Sequence, residues 1–283
     1  GLEKMGAECV GFSEIKESSI GIYLKHYPDH KPFGDITKIV PEELSDFDVF
    51  TGGFPCQSFS MVGARKGFGD RRGQMIFYIY DIFMAKKPEY VVLENVKGIT
   101  THDHGRTYKN VFKLLSVAGY HMRLVLLNSA HYGSAQARER VIFVGRRSAD
   151  FPLKNPVIRD DSKRFRDFRS GYDAKDILSE KSIVRMEKNV KSRKKGFELV
   201  GGYDRVNTLT TGVSTSGRNM LVTEDGDVWR RLTCLEAERL QGFPEEWTEG
   251  ETTAKRWFAL GNAVNCRVSD YLFNDYLRDL WWE

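Results

Sequence analysis

Short apolar runs alternate with segments of helical periodicity over the first half of the chain. The apolar runs predict strands at 10–13, 47–50, 89–96, 121–128 and 141–145, with a further strand ending at 34–37. The segments between them predict helices at 17–26, 75–86 and 107–118, and residues 1–9 resemble the last turns of another helix. Strands and helices that alternate in this way predict an α/β fold with a doubly wound, mostly parallel sheet in three layers.

The pattern changes after residue 150. Periodicity weakens and polar residues dominate, which predicts a second, smaller and irregular domain at 151–230. Helical order then returns, because Thr233 can cap a helix that has Glu236 three residues later and ends at Gly242. We divide the chain into an α/β domain (1–150), the irregular domain (151–230), a scaffold and hinge segment (231–260), and a helix that returns to the first domain (261–283).

The composition of the 283 residues is that of an ordinary globular protein. No segment approaches the run of about 20 apolar residues that a membrane helix needs. No signal peptide is visible, so we expect a cytoplasmic protein without membrane contact. The four cysteines, Cys9, Cys56, Cys234 and Cys266, are far apart and form no Cys-x-x-Cys pair. This spacing predicts neither a bound metal nor a disulfide framework.

The positive charge of the chain is concentrated in the irregular domain. Residues 151–230 hold 17 lysines and arginines against 12 acidic residues, although the net charge of the whole chain is only +4. The basic residues are densest at 163–169 and 188–195. A solvated surface is the usual explanation of such runs, but the aromatic residues between the arginines at 163–169 favour a surface that binds a phosphate backbone.

Two reactive side chains are predicted at the ends of neighbouring strands. Cys56 follows a Gly-Gly-Phe-Pro turn, and a parallel sheet presents reactive groups at the carboxyl ends of its strands. A thiol there can be a nucleophile when its proton is removed, and the alternative is a small apolar residue that caps the strand. Glu94 ends the strand at 89–96, where a carboxylate can bind a ring nitrogen and transfer a proton.

Further polar residues follow strand ends or lie in extended segments. Gln136, Arg138 and Arg140 alternate toward one side of an extended segment, as an ion-pair scaffold or as a fork for carbonyl and phosphate oxygens. The glycine-rich basic loop at 61–73 is compatible equally with a lid over a polyanion and with a disordered surface loop. The hydroxyl-rich segment at 207–212 is suited to contacts with base edges.

Five motifs occur in one order along the chain: Phe-Pro-Cys56-Gln, Glu94-Asn-Val, Gln136-x-Arg138-x-Arg140, Arg239-Leu-Gln-Gly-Phe-Pro, and Gly261-Asn-Ala-Val. In these motifs the chain resembles the DNA cytosine carbon-5 methyltransferases of the bacterial type, which take part in restriction–modification systems. The resemblance covers 1–147 and 230–283. It implies a Rossmann-like catalytic and cofactor domain, with the irregular domain at the position of the target recognition region.

The resemblance implies that S-adenosylmethionine is the methyl donor, with S-adenosylhomocysteine as product, and that a cytosine is flipped out of double-stranded DNA. Cys56 would attack carbon 6 of the ring, and Glu94 would hold N3 and the amino group. Arg140, with Arg138 in support, would hold the carbonyl O2 and a nearby phosphate. Carbon 5 then takes the methyl group, because addition at carbon 6 converts the ring to an enamine.

The remaining site residues are carried over from the same motifs. The positions expected to line the cofactor are Glu14, Asp35, Ile36, Pro55, Met75, Asn262 and Val264. The positions expected to contact DNA are Gln57, Ser58, Arg72, Gln136, Thr208 and Thr210. The family's first strand and its glycine-rich turn have no counterpart here, so we expect weak cofactor binding unless further residues or a second polypeptide supply them. We otherwise expect a monomer.

Two other functions are compatible with these motifs. The first is methylation of RNA cytosines, although the Cys-Phe-Thr signature of such relatives is absent and a basic recognition domain favours duplex DNA. The second is a DNA-binding relative without catalysis, against which the intact set of Cys56, Glu94, Arg138 and Arg140 argues. Covalent trapping on DNA that contains 5-fluorocytosine distinguishes these possibilities, because a protein that only binds forms no adduct.

Overall fold

Helices and strands alternate in the first half of the chain and become shorter in the second half. The computed structural model describes residues 1–55, 75–152, 154–184, 198–202, 204–211, 220–224 and 228–281. Its strands are β1 (Phe12–Ser13), β2 (Pro32–Gly34), β3 (Val49–Gly53), β4 (Tyr90–Val96), β5 (His121–Asn128), β6 (Gln136–Ala137), β7 (Glu139–Arg146), β8 (Glu198–Val200), β9 (Val206–Asn207), β10 (Met220–Glu224) and β11 (Val228–Arg231). Its α-helices are α1 (Glu17–His26), α2 (Met75–Lys86), α3 (Arg106–Val117), α4 (Cys234–Gln241), α5 (Thr253–Asn262), α6 (Cys266–Tyr271) and α7 (Arg278–Trp281), with a π-helical segment at Leu272–Tyr276 between the last two.

The central sheet has the strand order β3-β4-β7-β5. Strands β3 and β4 are parallel, whereas β7 is antiparallel to both β4 and β5. The predicted α/β fold is confirmed, and the sheet is mixed, with three strands in one direction and β7 reversed between two of them. The reversal follows from chain length, because the short connection at 129–138 is too short for the crossover of about a dozen residues that parallel neighbours need.

Both faces of this sheet are covered, which gives three layers. On one face, Leu93 and Phe143 pack with Phe83 of α2 and Leu115 of α3 in one apolar core. On the other face, the sheet packs against the C-terminal helices, and this second core contains Ile142, Val144, Val268, Tyr271, Leu272 and Leu277. The last segment of the chain therefore lies on the sheet of the first domain. The domain boundaries themselves stay a prediction.

A separate two-stranded parallel sheet carries the first two predicted acidic strand ends. Ser13 of β1 pairs with Gly34 of β2, so Glu14 and Asp35 follow side by side at the carboxyl ends. Ile36, the next residue, packs against the apolar core formed with α2 and α3. The N-terminal segment contains a single 3₁₀ turn at Glu3–Met5, which ends at Gly6 with a left-handed φ of 84°. It is shorter than the predicted helical turns.

The second half of the chain is less irregular than its sequence pattern predicts. Strand β10 pairs with β11 in the antiparallel sense and with β8 in the parallel sense. A third apolar core joins Phe165, Phe168 and Val206 to Leu240 and Trp257, the last two from α4 and α5. Residues from 151–230 and from 231–260 therefore share one core. The strands have only three to five residues, too few to give a period that the sequence reveals.

The aromatic residues of the basic run at 163–169 do not face solvent, which corrects the interpretation based on their interleaving. Phe165 is 0% exposed and Phe168 is 4% exposed, and both lie in the third core. They begin and end a 3₁₀ helix, in which side chains at positions i and i+3 point the same way. The spacing of these aromatics therefore reflects burial, and only the arginines between and beside them remain for a phosphate surface.

A buried ion pair fastens β11 to α4. The Arg230 guanidinium donates to both carboxylate oxygens of Glu236 over 2.7 and 2.9 Å, and both side chains are 0% exposed. Glu236 also accepts the backbone N–H groups of Ser170 and Thr233, so each of its oxygens has two partners. The predicted capping box of Thr233 and Glu236 is present, and Gly242 ends the helix in the left-handed conformation.

Replacing Arg230 by methionine is expected to lower the free energy of unfolding by about 3–5 kcal/mol, because it leaves the Glu236 carboxylate buried without its counter-ion. Urea unfolding followed by circular dichroism measures the change. Lys154→Met is the matched control, since Lys154 pairs with Asp279 on the surface over 3.1 Å and its loss is expected to cost at most about 1 kcal/mol. Equal losses in the two variants would contradict this account of Arg230.

Within the described parts of the chain, no helix has the length and apolar character that crossing a bilayer demands.

Candidate active site

Glu94 and Arg140 meet at the edge of the central sheet where β3 and β4 end and β7 begins. Arg140 Nε lies 2.6 Å from Glu94 Oε1, and the two side chains are 13% and 22% exposed. Glu94 is in register with Gly53 of β3, where a Cβ atom would lie 3.5 Å from Glu94 Oε2. A charged pair that is largely buried but open to solvent on one side can hold a polar ring. Burial lowers the pKa of the Arg140 guanidinium, and the Glu94 carboxylate opposes that effect.

Asn95 fixes the start of the turn that leads to the predicted nucleophile. Its side chain is 3% exposed, and its Nδ2 donates to the carbonyl oxygen of Phe54 over 2.7 Å. Phe54 is itself buried in the first core, and Pro55 after it is exposed. The predictions for Cys56, Gln57, Ser58 and Arg72 concern residues outside the described ranges. The described residues thus hold the chain two positions before Cys56, at the strand end beside Glu94.

Arg138 binds the protein backbone rather than an open site. Its Nη atoms donate to the carbonyl oxygens of Leu209 (2.9 Å), Gly261 (3.1 Å) and Ala263 (2.8 Å), and the residue is 2% exposed. Burial, together with the nearby charge of Arg140, lowers the pKa of Arg138 to about 9, which leaves it charged at neutral pH. The expectation that Arg138 helps Arg140 at a substrate oxygen is therefore corrected, since its side chain binds two segments of the backbone, at Leu209 and at Gly261 and Ala263.

Gln136 is also inside the protein, which is inconsistent with the predicted contact to DNA. It is 0% exposed. Its Oε1 accepts the backbone N–H of Leu209 over 3.0 Å, and its Nε2 donates to Gln241 Oε1 over 3.1 Å. Gln136, Arg138 and Arg140 therefore do not share one accessible surface, and only Arg140 reaches the candidate site.

The threonine segment lies directly beside these residues. Strands β6 and β9 pair in parallel, and Thr208 Oγ1 donates to the carbonyl of Ala137 over 3.0 Å. Thr208 is partly exposed and Thr210 is exposed, so DNA can reach both residues. Their contact with DNA stays a prediction. Gly261 packs against the same segment, because a Cβ atom there would lie 2.5 Å from Thr211 N and 2.6 Å from the carbonyl carbon of Thr210.

Gly261→Ala is expected to lower the free energy of unfolding by about 1–3 kcal/mol and to weaken DNA binding, because the new methyl group must displace the backbone of the threonine segment. Chemical unfolding and fluorescence anisotropy measure the two effects. Gly171→Ala is the control, since Gly171 has open space around its Cβ position and no left-handed φ. A Gly261→Ala protein as stable as the control would argue against this close contact.

Hydrogen bonds from the residues that follow them in the chain orient the carboxylates of Glu14 and Asp35. One carboxylate oxygen of each is left for a ligand. Glu14 Oε1 accepts the N–H groups of Ile15 and Lys16 over 2.7 and 2.8 Å. Asp35 Oδ1 accepts from the backbone and hydroxyl of Thr37, and these hydrogen bonds lower the pKa of Asp35. Their other oxygens have no protein partner within the described residues. Two oriented acceptors at adjacent strand ends suit a ribose and an adenine amino group.

The other expected cofactor positions differ in their exposure. Ile36 and Met75 are partly buried and pack against the first core, whereas Pro55 and Asn262 are exposed and Val264 is 42% exposed. Helix α5, which ends at Asn262, lies beside α1, with Lys16 Nζ 5.7 Å from the ring centroid of Phe258. Within the described residues, no group of three or more His, Cys, Asp or Glu side chains is arranged to hold a metal ion.

Three residues that position the site were not singled out from the sequence. They are Asn95, Gln241 and Asn265, which are at most 3% exposed and bonded to backbone carbonyl groups. Asn95 interrupts an apolar strand, and Gln241 separates Leu240 from the glycine that ends α4. An amide in an apolar context is the signal that identifies such residues, because a buried polar group must find partners.

Known proteins resemble this chain in sequence and in fold. The family model described as C-5 cytosine-specific DNA methylase matches residues 1–278. The Type II methyltransferase M.NgoBI of Neisseria gonorrhoeae is 33% identical over 95% of this chain and 86% of its own length. M1.ScrFI of Lactococcus lactis subsp. cremoris is 34% identical over 89% of this chain and 67% of its own length. The S. pombe Dnmt2 methyltransferase structure superposes with a TM-score of 0.79 over 99% of this chain and 94% of that one, at 20% identity. The chain belongs to the C-5 cytosine-specific DNA methylase family.

Proposed function

We propose that the protein transfers the methyl group of S-adenosylmethionine to carbon 5 of a cytosine that is flipped out of double-stranded DNA. The observation that carries this proposal is the Glu94–Arg140 pair at 2.6 Å, beside the turn to Cys56 that Asn95 holds. A carboxylate and a guanidinium at this spacing can bind the N3 edge and the O2 of one pyrimidine ring. The Type II names of the relatives support a role in restriction and modification.

In this mechanism the thiolate of Cys56 adds to carbon 6 of the cytosine. Glu94, in its protonated form, gives its proton to N3 as electron density moves into the ring, and Arg140 binds O2. The ring is then an enamine whose carbon 5 is nucleophilic, which an intact aromatic ring is not. Once carbon 5 has taken the methyl group and S-adenosylhomocysteine is left, loss of the carbon 5 proton to water, expulsion of the Cys56 thiolate and return of the N3 proton to Glu94 restore the aromatic ring.

S-adenosylmethionine supplies the electrophilic methyl group. The unpartnered oxygens of Glu14 and Asp35 support binding of its ribose and adenine, with Ile36 against the ring. Pro55, Met75, Asn262 and Val264 line the remaining boundary in this proposal. Strands β1 and β2 are parallel and end side by side, as do β3 and β4, and these paired carboxyl ends support a cofactor site at the strand ends.

The region from 151 to 230 is proposed to bind the duplex and to select the target sequence. Its net positive charge supports attraction to phosphates, and such binding weakens with added salt. Thr208 and Thr210, on the exposed side of the segment beside β6, are proposed to support the flipped nucleotide. Gln57, Ser58 and Arg72, which follow Cys56 in the sequence, are also proposed to contact DNA.

Bisulfite sequencing of plasmid DNA from cells that express the gene tests the proposal. We expect 5-methylcytosine at one recurring sequence, and its absence would contradict the proposed activity. Incubation with duplex DNA that contains 5-fluorocytosine is then expected to give a covalent protein–DNA adduct. A matched RNA is the comparison, and an adduct on RNA alone would favour the RNA methyltransferase alternative.

A further inference from the structure

Four buried side chains form one cluster between the two parts of the proposed active site, in which three amides bond to one another and Arg138 joins them through the backbone of Leu209 and Ala263. This buried cluster consists of Gln136, Arg138, Gln241 and Asn265, each at most 2% exposed. Gln241 Oε1 is its centre and accepts from Gln136 Nε2 over 3.1 Å and from Asn265 Nδ2 over 3.3 Å. The cluster contains no group that reaches the proposed substrate, so its role must lie in what it holds.

On the DNA side, the cluster holds both backbone groups of Leu209. The N–H of Leu209 donates to Gln136 Oε1 over 3.0 Å, and its carbonyl accepts from Arg138 Nη1 over 2.9 Å. The Leu209 side chain is 0% exposed and lies in the third core. Leu209 stands between Thr208 and Thr210, the two residues proposed to support the flipped nucleotide, so the cluster fixes their position.

On the cofactor side, the cluster holds the backbone around Asn262. Arg138 Nη2 donates to the carbonyls of Gly261 and Ala263 over 3.1 and 2.8 Å, and Gln241 Nε2 donates to the carbonyl of Leu260 over 2.5 Å. Asn262 itself is exposed, and it is one of the residues proposed above to line the cofactor. One guanidinium therefore binds both the residue between the two threonines and the residues that flank Asn262.

The two segments also touch directly. Gly261 lies so close to the backbone of Thr210 and Thr211 that only a hydrogen atom fits between them. Buried donors and acceptors are costly to leave unpaired, and tightly packed segments cannot move past each other independently. A shift of the backbone near Asn262 is therefore transmitted to the threonine segment.

We propose that this buried cluster couples cofactor binding to DNA binding, with Arg138 and Gln241 as positioning residues rather than substrate contacts. The inference rests on the proposed function, because it needs a cofactor beside Asn262 and DNA beside Thr208 and Thr210. A ligand that orders the backbone around Asn262 lowers the free energy needed to order the threonine segment, and the reverse also holds. Linkage makes the effect reciprocal, so each ligand tightens binding of the other by the same factor.

The test is the affinity for a duplex that carries the sequence found by bisulfite sequencing, measured by anisotropy with and without S-adenosylhomocysteine. In the unaltered protein, S-adenosylhomocysteine is expected to tighten DNA binding by about fivefold or more. Gln241→Met has a side chain of similar size without amide groups, and it is expected to reduce that ratio to less than about twofold. Arg138→Lys keeps the charge but loses the planar fork, so it is expected to reduce the ratio as well.

Thr248→Val is the matched control, because Thr248 joins the same two helices outside the cluster. The hydroxyl of Thr248 is bonded to Glu238 of α4 and to Arg256 of α5, and the valine variant loses these contacts. It is expected to keep the ratio of the unaltered protein even if its unfolding temperature falls. If Gln241→Met does not unfold cooperatively, Arg138→Lys decides the outcome.

Three results would overturn the proposal: a ratio near one in the unaltered protein, an unchanged ratio in the cluster variant that folds, or an equal fall in Thr248→Val. Each of these is distinguishable from failure of the proposed function, since methylation of the plasmid would persist. If the plasmid carries no 5-methylcytosine, the proposed function is contradicted, and the proposed coupling, which rests on it, is contradicted as well.

Discussion

Cys56→Ser is expected to lower methyl transfer to duplex DNA by on the order of 10³-fold or more, with little change in DNA affinity. A serine hydroxyl is not ionised near neutral pH, whereas a cysteine with a pKa of about 8.5 or lower supplies a thiolate. The covalent step to carbon 6 therefore loses its nucleophile, and the variant is also expected to form no adduct with 5-fluorocytosine. Transfer of a radiolabelled methyl group and a mobility-shift assay measure the two properties separately.

Cys9→Ser is the control for this substitution. The Cys9 thiol donates to the carbonyl of Gly11 over 3.6 Å, a contact that a hydroxyl group can keep, so methyl transfer is expected to be retained. Cys234 and Cys266 are poor candidates for the nucleophile, because burial raises the pKa of both thiols, to about 11 for Cys266. A Cys56→Ser protein that methylates at the normal rate would remove the covalent mechanism.

The regular elements of the first domain could be predicted from the sequence because their periods are long and uninterrupted. Helices α1 and α2 and strand β5 have the predicted bounds, and Glu94 lies at the predicted strand end. The reversed direction of β7 was not predicted, since alternation of side chains is the same in both strand directions. Strand direction depends on how the connection at 129–138 returns, which is a property of chain length and packing.

The environment of the glutamine and arginine motif could not be predicted from alternation alone. A period of two places Gln136, Arg138 and Arg140 on one side of an extended segment, but it does not say what covers that side. In the structure, Val206 to Leu209 come from about 70 residues away along the chain and bury the first two. Because of this long-range pairing, Gln136 and Arg138 bind other parts of the protein rather than a ligand. Of the three residues, only Arg140 lies beside Glu94.

Glu94→Gln is expected to lower the rate of methyl transfer about 10²–10⁴-fold while the affinity for DNA changes little. The amide has the size of the carboxyl group but cannot give a proton to N3 as Cys56 adds to carbon 6. It also leaves Arg140 without its charged partner at 2.6 Å, so the guanidinium loses one of the contacts that orient it toward O2. Single-turnover methylation, together with the rate of adduct formation on 5-fluorocytosine, measures the effect.

Glu89→Gln gives the same chemical change at the opposite end of β4. Glu89 pairs with Arg146 over 3.4 Å, far along the strand from Glu94, and its substitution is expected to leave the rate of methyl transfer unchanged. A Glu94→Gln protein with normal rates in both assays would show that the carboxyl group has no part in the chemistry. If methylation slows but adduct formation does not, Glu94 acts after the thiol has added, and the proton transfer belongs to the later elimination.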